Sequence, residues 1–249
     1  MGSCSLQNSS LPEKLVKLGI VVALSEELKS LTDNKIESGS FLKLNNDIFL
    51  SLSGTGPDHA AKAAKDLVEQ GVNALLSWGC AASLTGELES GSLLIPKQVE
   101  CENGIVLPVD IEWHNRLYLF LSEKLQPQKG RLLESKQIVP DPDKKKWLHK
   151  KSGAIAVDME SASIAKVAQK NDLSFLAVRA IADTVNRQIP QCILNSVDYD
   201  GQIRKLYLFK QSILHPVDWV ALAKLGHQFS AAKKTLKMVA AISPPNFFC

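Results

Sequence analysis

The sequence lacks the features that mark membrane, disulfide-rich and nucleic-acid-binding proteins. Its longest clean apolar run, Leu18 to Leu24, is far shorter than the roughly 18 to 20 residues that cross a membrane. The five cysteines never form a CxxC pair, which argues against a disulfide framework and against a zinc site. A net charge of +3 is too small to indicate nucleic-acid binding. We therefore expect a cytoplasmic protein with reduced thiols, no metal and no nucleic-acid partner.

Three common nucleotide and hydrolase motifs are also missing. The turn from Gly54 to His59 lacks the last glycine of GxGxxG, so it is not a dinucleotide-binding fingerprint. Neither a GxSxG nucleophile elbow nor a Walker A loop occurs. These absences disfavour Rossmann, α/β-hydrolase and P-loop functions.

What the sequence does contain is an alternation of short apolar runs with helical patterns, which is typical of an α/β fold with a largely parallel sheet. Strands are expected at residues 18–24, 46–54, 73–79, 90–96, 132–139, 153–160 and 173–183. Helices are expected after an N-cap at Ser25 and at residues 59–71, 113–125, 144–151, 161–171, 218–225 and 228–242. With no repeat or linker, we expect one domain over residues 18–243, between a loose leader (1–17) and a tail (244–249).

Carboxylates stand at three of the places where predicted strands end. In open α/β sheets ligands bind at the carboxyl ends of strands, and a charge buried there is costly unless it is paired or used. The candidate segments are residues 23–27, 53–57, 77–83, 158–160 and 182–183, and residues 184–201 are long and irregular enough to form a lid or binding loop.

These segments resemble a known family. VDMESASIAKVAQ followed by FLAVRAIAD is similar to the paired signature of the nucleoside phosphorylase and nucleosidase superfamily. GIVVALSEEL resembles its first strand and acidic turn, and SGTGPDHAAKAAKDL and SWGCAASLTGELESGSLLIP resemble its two glycine turns. The sequence resembles the 5′-methylthioadenosine/S-adenosylhomocysteine nucleosidases of this superfamily. It resembles the hopanoid-associated phosphorylases more closely still, in the segments AVDMES and SWG and in the C-terminal helical region. The resemblance implies a three-layer α/β/α single domain with a central, largely parallel mixed sheet.

The resemblance also implies roles for individual residues. Glu160 would grip the ribose 2′- and 3′-hydroxyls through strong charge-assisted hydrogen bonds, and Met159 would lie against the sugar and base. Asp183 would be the general acid that protonates purine N7, for which it must hold a proton. Glu27 would activate the attacking water, with Glu26 as the alternative one residue away.

Further positions in the resembling segments would line the substrate. Ser77, Gly79 and Cys80 fall in the glycine turn beside the base and sugar, where the family serine is replaced by Cys80 and two family glycines by Ala82 and Ser83.

Adenine is read in this family by the backbone of a strand that would end near Ile138 and Val139. Trp78 is expected in the core, and Arg179 is expected to be a structural cation. Arg187 is a better candidate than Arg179 for binding an anion such as phosphate.

Water and inorganic phosphate both stay open as the nucleophile. The acidic turn at residues 23–27 replaces the Gly-Asp-Pro turn and arginine with which the phosphorylases hold phosphate, so residue chemistry favours hydrolysis. The hopanoid branch favours phosphorolysis. No cofactor is expected beyond phosphate as a co-substrate.

We therefore expect cleavage of the N-glycosidic bond of an adenine nucleoside with an apolar 5′ group, such as adenosylhopane. The alternatives are a 5′-methylthioadenosine/S-adenosylhomocysteine nucleosidase and a noncatalytic nucleoside-binding protein. The family implies a homodimer or higher homo-oligomer.

Two basic stretches favour ordinary structural explanations. The run at residues 141–146 is interpreted as a solvated turn and helix start rather than a phosphate or membrane site. Lys233 to Ile242, with Phe247 and Phe248 after it, is interpreted as a core helix and frayed tail, with peripheral membrane contact as the alternative.

Overall fold

The computed structural model of the protein describes residues 16–189 and 218–243. The strands in these ranges are β1 (Leu18–Val22), β2 (Ser40–Lys43), β3 (Ile48–Leu52), β4 (Ala74–Ser83), β5 (Leu93–Leu94), β6 (Gln98–Glu100), β7 (Val106–Pro108), β8 (Arg131–Glu134), β9 (Ala156–Asp158) and β10 (Ser174–Asp183). The helices are α1 (Ser25–Leu28), α2 (Pro57–Glu69), α3 (Ile111–Leu125), α4 (Pro142–Ser152), α5 (Ser161–Lys170) and α6 (Asp218–Ile242).

The strands form one mixed sheet in the order β2-β3-β1-β4-β9-β8-β6-β7, and β10 pairs with both β4 and β5. Its centre is parallel, because β1 pairs in parallel with β3 and β4, and β4 with β10. Helices α2 and α5 pack against each other and onto the central strands, while α6 packs on β10. The predicted α/β/α fold with a largely parallel sheet is confirmed.

The central strands are buried because their sequences are apolar on both faces, as parallel strands covered by helices require. The register places Val22 of β1 and Val178 of β10 on either side of Trp78 in β4. These three strands run in the same direction, so their carboxyl ends lie at the same edge of the sheet. The segments that follow β1, β4 and β10 are thereby brought together.

Several local predictions were wrong in detail. Ser25 is the first residue of α1 rather than its N-cap, which is Leu24. The two predicted C-terminal helices are one helix, α6. Strand β8 ends at Glu134, so Ile138 and Val139 lie in the connection to α4 rather than in a strand. Strands β2, β6 and β7 were not predicted.

Helix α6 packs into the core through Ala232, Leu236 and Val239. Lys233, on the same helix, forms an ion pair of 2.8 Å with Glu26. Phe247 and Phe248 lie outside the described residues, as does the predicted binding loop beyond residue 189. Within the described ranges, the helices fall short of the length and hydropathy needed to span a bilayer.

Candidate active site

Glu27, in α1 after β1, is fixed by two backbone hydrogen bonds. Its Oε2 accepts from the N–H of Leu24 at 3.1 Å, and its Oε1 accepts from the N–H of Cys80 at 2.8 Å. Gly79 permits this approach, because a Cβ there would lie 2.9 Å from both carboxylate oxygens. Burial raises the pKa of Glu27, and the positive charge of Arg179 opposes that shift.

The neighbouring Glu26 faces away from this position. Its carboxylate is paired with Lys29 and Lys233, and these ion pairs lower its pKa to about 2. Glu26 is partly exposed, whereas Glu27 is buried. The structure therefore turns Glu27, and not Glu26, into the interior.

Glu160 is held at the N-terminus of α5. Its Oε1 accepts from the N–H of Gly56 at 2.9 Å, and its Oε2 accepts from the N–H of Met159 at 3.2 Å. Burial, together with the negative charges of Asp158 and Glu27, raises the pKa of Glu160 to about 8. Glu27 and Glu160 are thus close enough to influence each other's charge.

A buried arginine lies among these carboxylates. Arg179 donates from Nε to Asp158 at 2.9 Å, and from Nη2 to the hydroxyls of Ser77 at 2.6 Å and Ser161 at 3.0 Å. All four residues are buried. Arg179 therefore has the structural partner that the sequence led us to expect, and the Ser77 hydroxyl is engaged inside the protein.

Glu134, at the end of β8, is a further buried carboxylate that sequence reasoning missed. Its two oxygens accept from the N–H of Ser163 at 2.6 Å and from the Ser163 hydroxyl at 2.9 Å. Burial and the charge of Asp158 raise its pKa to about 7. The available signal was an acidic residue ending an apolar run, the same pattern that identified Asp183.

Asp183, the last residue of β10, forms an ion pair with a lysine. Its Oδ2 lies 2.6 Å from Nζ of Lys145, while Oδ1 is buried and accepts no hydrogen bond from any described residue. Burial raises the pKa of Asp183, although the charges of Lys145 and Arg187 act in the opposite direction.

The prediction that the run at residues 141–146 is solvated was wrong for Lys145. Asp141 caps α4 by accepting from the N–H of Asp143 at 2.7 Å, and Lys144 and Lys146 are exposed, as expected. Lys145 is fully buried, because its side chain reaches the end of β10 and the turn that follows it. A single buried position in a lysine run has no distinguishing signal in the sequence.

The three predicted acidic residues border one short segment of β4. Cys80 of that segment donates its N–H to Glu27, and Ala82 is paired with Asp183 on one side. On its other side Ala82 is paired with Val157 of β9, three residues before Glu160. The segments that carry the two glutamates and Asp183 therefore all adjoin the end of β4.

The other predicted positions are distributed around the same region. Cys80 is half-buried, and burial and the Glu27 charge raise the pKa of its thiol well above its ordinary value. Met159 is partly exposed. Val139 packs in a small apolar cluster and Ile138 is half-buried beside it. Trp78 is a core residue whose indole N–H donates to Ser30 at 2.8 Å.

A cavity of about 490 Å³ opens beyond the end of β10, and Glu27, Glu160 and Asp183 are not among the residues that line it. It is lined by residues after β4, by the turn Thr184 to Arg187, and by Lys224, His227 and Gln228 of α6. Arg187 is the one predicted site residue that lines it. Among residues 16–189 and 218–243, no group of three or more His, Cys, Asp or Glu side chains is arranged to hold a metal ion.

Comparison with known proteins identifies relatives of the chain. A family model described as the phosphorylase superfamily matches residues 17–191. A 5′-methylthioadenosine/S-adenosylhomocysteine nucleosidase of Buchnera aphidicola is 30% identical over 204 residues, covering 69% of this chain and 80% of the relative.

Solved structures show the same fold. Futalosine hydrolase of Helicobacter pylori superposes with a TM-score of 0.66 at 20% identity, over 91% of this chain and 98% of that one. A 5′-methylthioadenosine/S-adenosylhomocysteine nucleosidase of the same organism gives a TM-score of 0.65 at 20% identity, over 92% and 99% of the two chains. At this identity the likeness concerns the fold alone.

Proposed function

The chain belongs to the phosphorylase superfamily and is a purine nucleoside N-glycosidic bond-cleaving enzyme, and from this premise we propose that it hydrolyses 5′-methylthioadenosine or a closely related adenine nucleoside. The observation that carries the proposal is that the segments holding Glu27, Glu160 and Asp183 all adjoin the end of β4. The relative at 30% identity is named for 5′-methylthioadenosine and S-adenosylhomocysteine, so we prefer a thioether 5′ group to adenosylhopane.

The acidic surroundings favour water over phosphate as the nucleophile. Glu27, Glu134, Asp158 and Glu160 are all buried, and Arg179 is already paired with Asp158. A phosphate anion would be repelled by those of these carboxyl groups that are ionised, and repulsion is strong where solvent screening is weak. Positive charge on the ribose would be stabilised by the same groups.

In the proposed reaction, Glu27 accepts a proton from water as the water oxygen bonds to the anomeric carbon. The glycosidic bond breaks, and its electron pair leaves with the base. Asp183 gives its proton to the base nitrogen N7, so adenine departs neutral. In its ionised form Glu160 accepts hydrogen bonds from the two ribose hydroxyls, which strengthen as the sugar becomes cationic.

Adenine release by purified protein tests this function. The substrates are 5′-methylthioadenosine, S-adenosylhomocysteine and adenosylhopane, each with and without inorganic phosphate. We expect release from the first two that does not depend on phosphate. Release that requires phosphate would overturn the water mechanism, and tight nucleoside binding without release would indicate a binding protein.

The variant Asp183→Asn tests the role of Asp183 as the general acid. Loss of general acid catalysis lowers the rate by about 10² to 10⁴-fold, so turnover should fall by at least that much while the nucleoside still binds. Binding is measured by calorimetry and turnover by adenine absorbance. Turnover equal to that of the wild type would remove Asp183 from the mechanism.

A further inference from the structure

Lys145 is a lysine in an unusual environment. Its side chain has no exposed surface, while Lys144 and Lys146 on either side are exposed. Lysine is almost never fully buried unless its charge is paired, because removing an ammonium group from water is costly. A lysine in this position therefore needs a specific set of partners.

The partners of Lys145 use all three of its protons. Its Nζ donates to Asp183 Oδ2 at 2.6 Å, to the carbonyl of Thr184 at 3.1 Å and to the carbonyl of Arg187 at 3.0 Å. An ammonium group has three donors and no acceptor, so the bonding of Lys145 is complete. The same turn is tied to the start of α4 a second time, by the N–H of Ile189 to the carbonyl of Pro140 at 3.1 Å.

This bonding leaves the two oxygens of Asp183 in different situations. Oδ2 is occupied by Lys145, whereas Oδ1 is buried and has no hydrogen-bond partner among the described residues. A buried oxygen without a partner is unfavourable, because it has lost its hydrogen bonds to water. Such an atom is free to bond with a ligand that enters beside the end of β4.

We propose that Lys145 is a positioning residue for Asp183, because it holds Oδ2 so that Oδ1 faces the leaving base. The positive charge of Lys145 also sets the pH range in which Asp183 keeps the proton that it transfers. This inference rests on the proposed function, in which Asp183 is the acid.

The proton balance is simple. The Oδ1–H bond breaks as the N–H bond forms on the base, and the electron pair of the glycosidic bond goes to the base. The negative charge left on the carboxylate lies against the ammonium at Oδ2, and Lys145 keeps its three protons throughout. After adenine leaves, Glu27 releases to solvent the proton that it took from water, and Asp183 takes one up.

Two cations face Asp183, each from a different element. Lys145 comes from α4, and Arg187 comes from the turn after β10. Burial favours the neutral carboxyl and so raises the pKa of Asp183, while both cations lower it. Lys145 is buried, whereas Arg187 is partly exposed. Solvent and salt therefore screen the charge of Lys145 less than the charge of Arg187.

The test compares the pH dependence of kcat/KM for wild type, Lys145→Met and Lys145→Gln, with 5′-methylthioadenosine as substrate. The limb where activity falls with rising pH reports the loss of the acid's proton. An opposite charge at this range lowers a carboxyl pKa by about 1 to 3 units, so we expect both variants to move that limb upward by about 1 to 3 pH units. Turnover should also fall by about 10-fold or more, since Asp183 loses its orientation.

Lys144→Met is the matched control, because it makes the same substitution on the neighbouring, exposed position. Its pH limb should coincide with that of the wild type. Circular dichroism and thermal unfolding establish that each variant is folded. A purely structural role for Lys145 would lower stability and leave the limb of the folded variants in place, and that result would overturn the inference.

Lys145→Gln keeps a hydrogen-bond donor beside Asp183 if Lys145→Met does not fold. Should neither neutral variant fold, Lys145→Arg decides: it keeps the charge but not the three-donor geometry, so we expect an unmoved limb and reduced turnover. Wild-type turnover in folded Lys145→Arg would contradict the inference. Failure of the proposed function is distinct, since the wild type would then release no adenine or Asp183→Asn would remain active.

Discussion

The contact between Gly79 and Glu27 leads to a quantitative prediction. In Gly79→Ala the added Cβ would lie 2.9 Å from both Glu27 oxygens, against an ordinary contact of 3.4 Å or more, so the carboxylate must move by about 0.5 Å. Gly79 does not have a positive φ, so its backbone accepts alanine. Glu27 cannot move freely, because the N–H groups of Leu24 and Cys80 hold its two oxygens.

A displacement of 1 Å at a reacting group can lower the rate about 100-fold, so half of that distance should lower kcat/KM by about 10-fold. The loss should exceed this if the Cys80 bond breaks, since a hydrogen bond to a charged group contributes about 1.5 to 3 kcal/mol. The measurement is steady-state adenine release from 5′-methylthioadenosine.

Gly226→Ala is the matched control for this substitution. Its added Cβ, on α6, meets no described atom within 4 Å, and alanine should stabilise the helix by up to about 1 kcal/mol. Activity of Gly226→Ala should equal that of the wild type. If Gly79→Ala were folded and within twofold of the wild type, the placement of Glu27 would not matter for the reaction.

Two further variants examine the buried charges. Glu160 holds a proton in the folded protein up to a pKa of about 8, against 4.5 when unfolded, so its contribution to stability is complete below about pH 4.5 and is lost as the pH rises through 8. Thermal unfolding of Glu160→Gln should therefore depend less on pH between 5 and 9 than that of the wild type, and nucleoside binding should weaken; an equal pH dependence would contradict the assignment. Asp158→Asn leaves Arg179 without its ionic partner, which should cost about 3 to 5 kcal/mol and lower Tm by roughly 2 to 4 °C per kcal/mol. An unchanged Tm would show that the pair does not stabilise the fold.

The central sheet could be predicted from the sequence because its strands are apolar on both faces. A short, continuous apolar run such as that of β1 is typical of a strand buried on both faces. The helices between the strands end at residues that commonly terminate helices, such as Gly71 after α2, which has a φ of +81°. Short edge strands could not be predicted in the same way. β2 is mostly exposed, so its sequence carries no apolar alternation that distinguishes it from a loop.

The candidate site could be predicted in part. Glu27 and Asp183 follow or end parallel strands whose carboxyl ends lie at one edge of the sheet, and Glu160 follows β9, which pairs antiparallel with the end of β4. Lys145 could not be predicted, because its burial depends on which face of α4 meets β10 and not on any local pattern. The choice between Glu26 and Glu27 likewise depended on Lys233, more than two hundred residues away in the chain.

The pairing of β10 with β4 joins positions a hundred residues apart, since Ser174 lies opposite Ala74. Contacts between such distant segments form slowly, because a long loop must close first. Asp183 has no place beside the strand that holds Glu27 until β10 has inserted. Nucleoside affinity would then arise late in refolding, and the rate at which a fluorescent nucleoside becomes bound would report the insertion of β10 rather than the collapse of the chain.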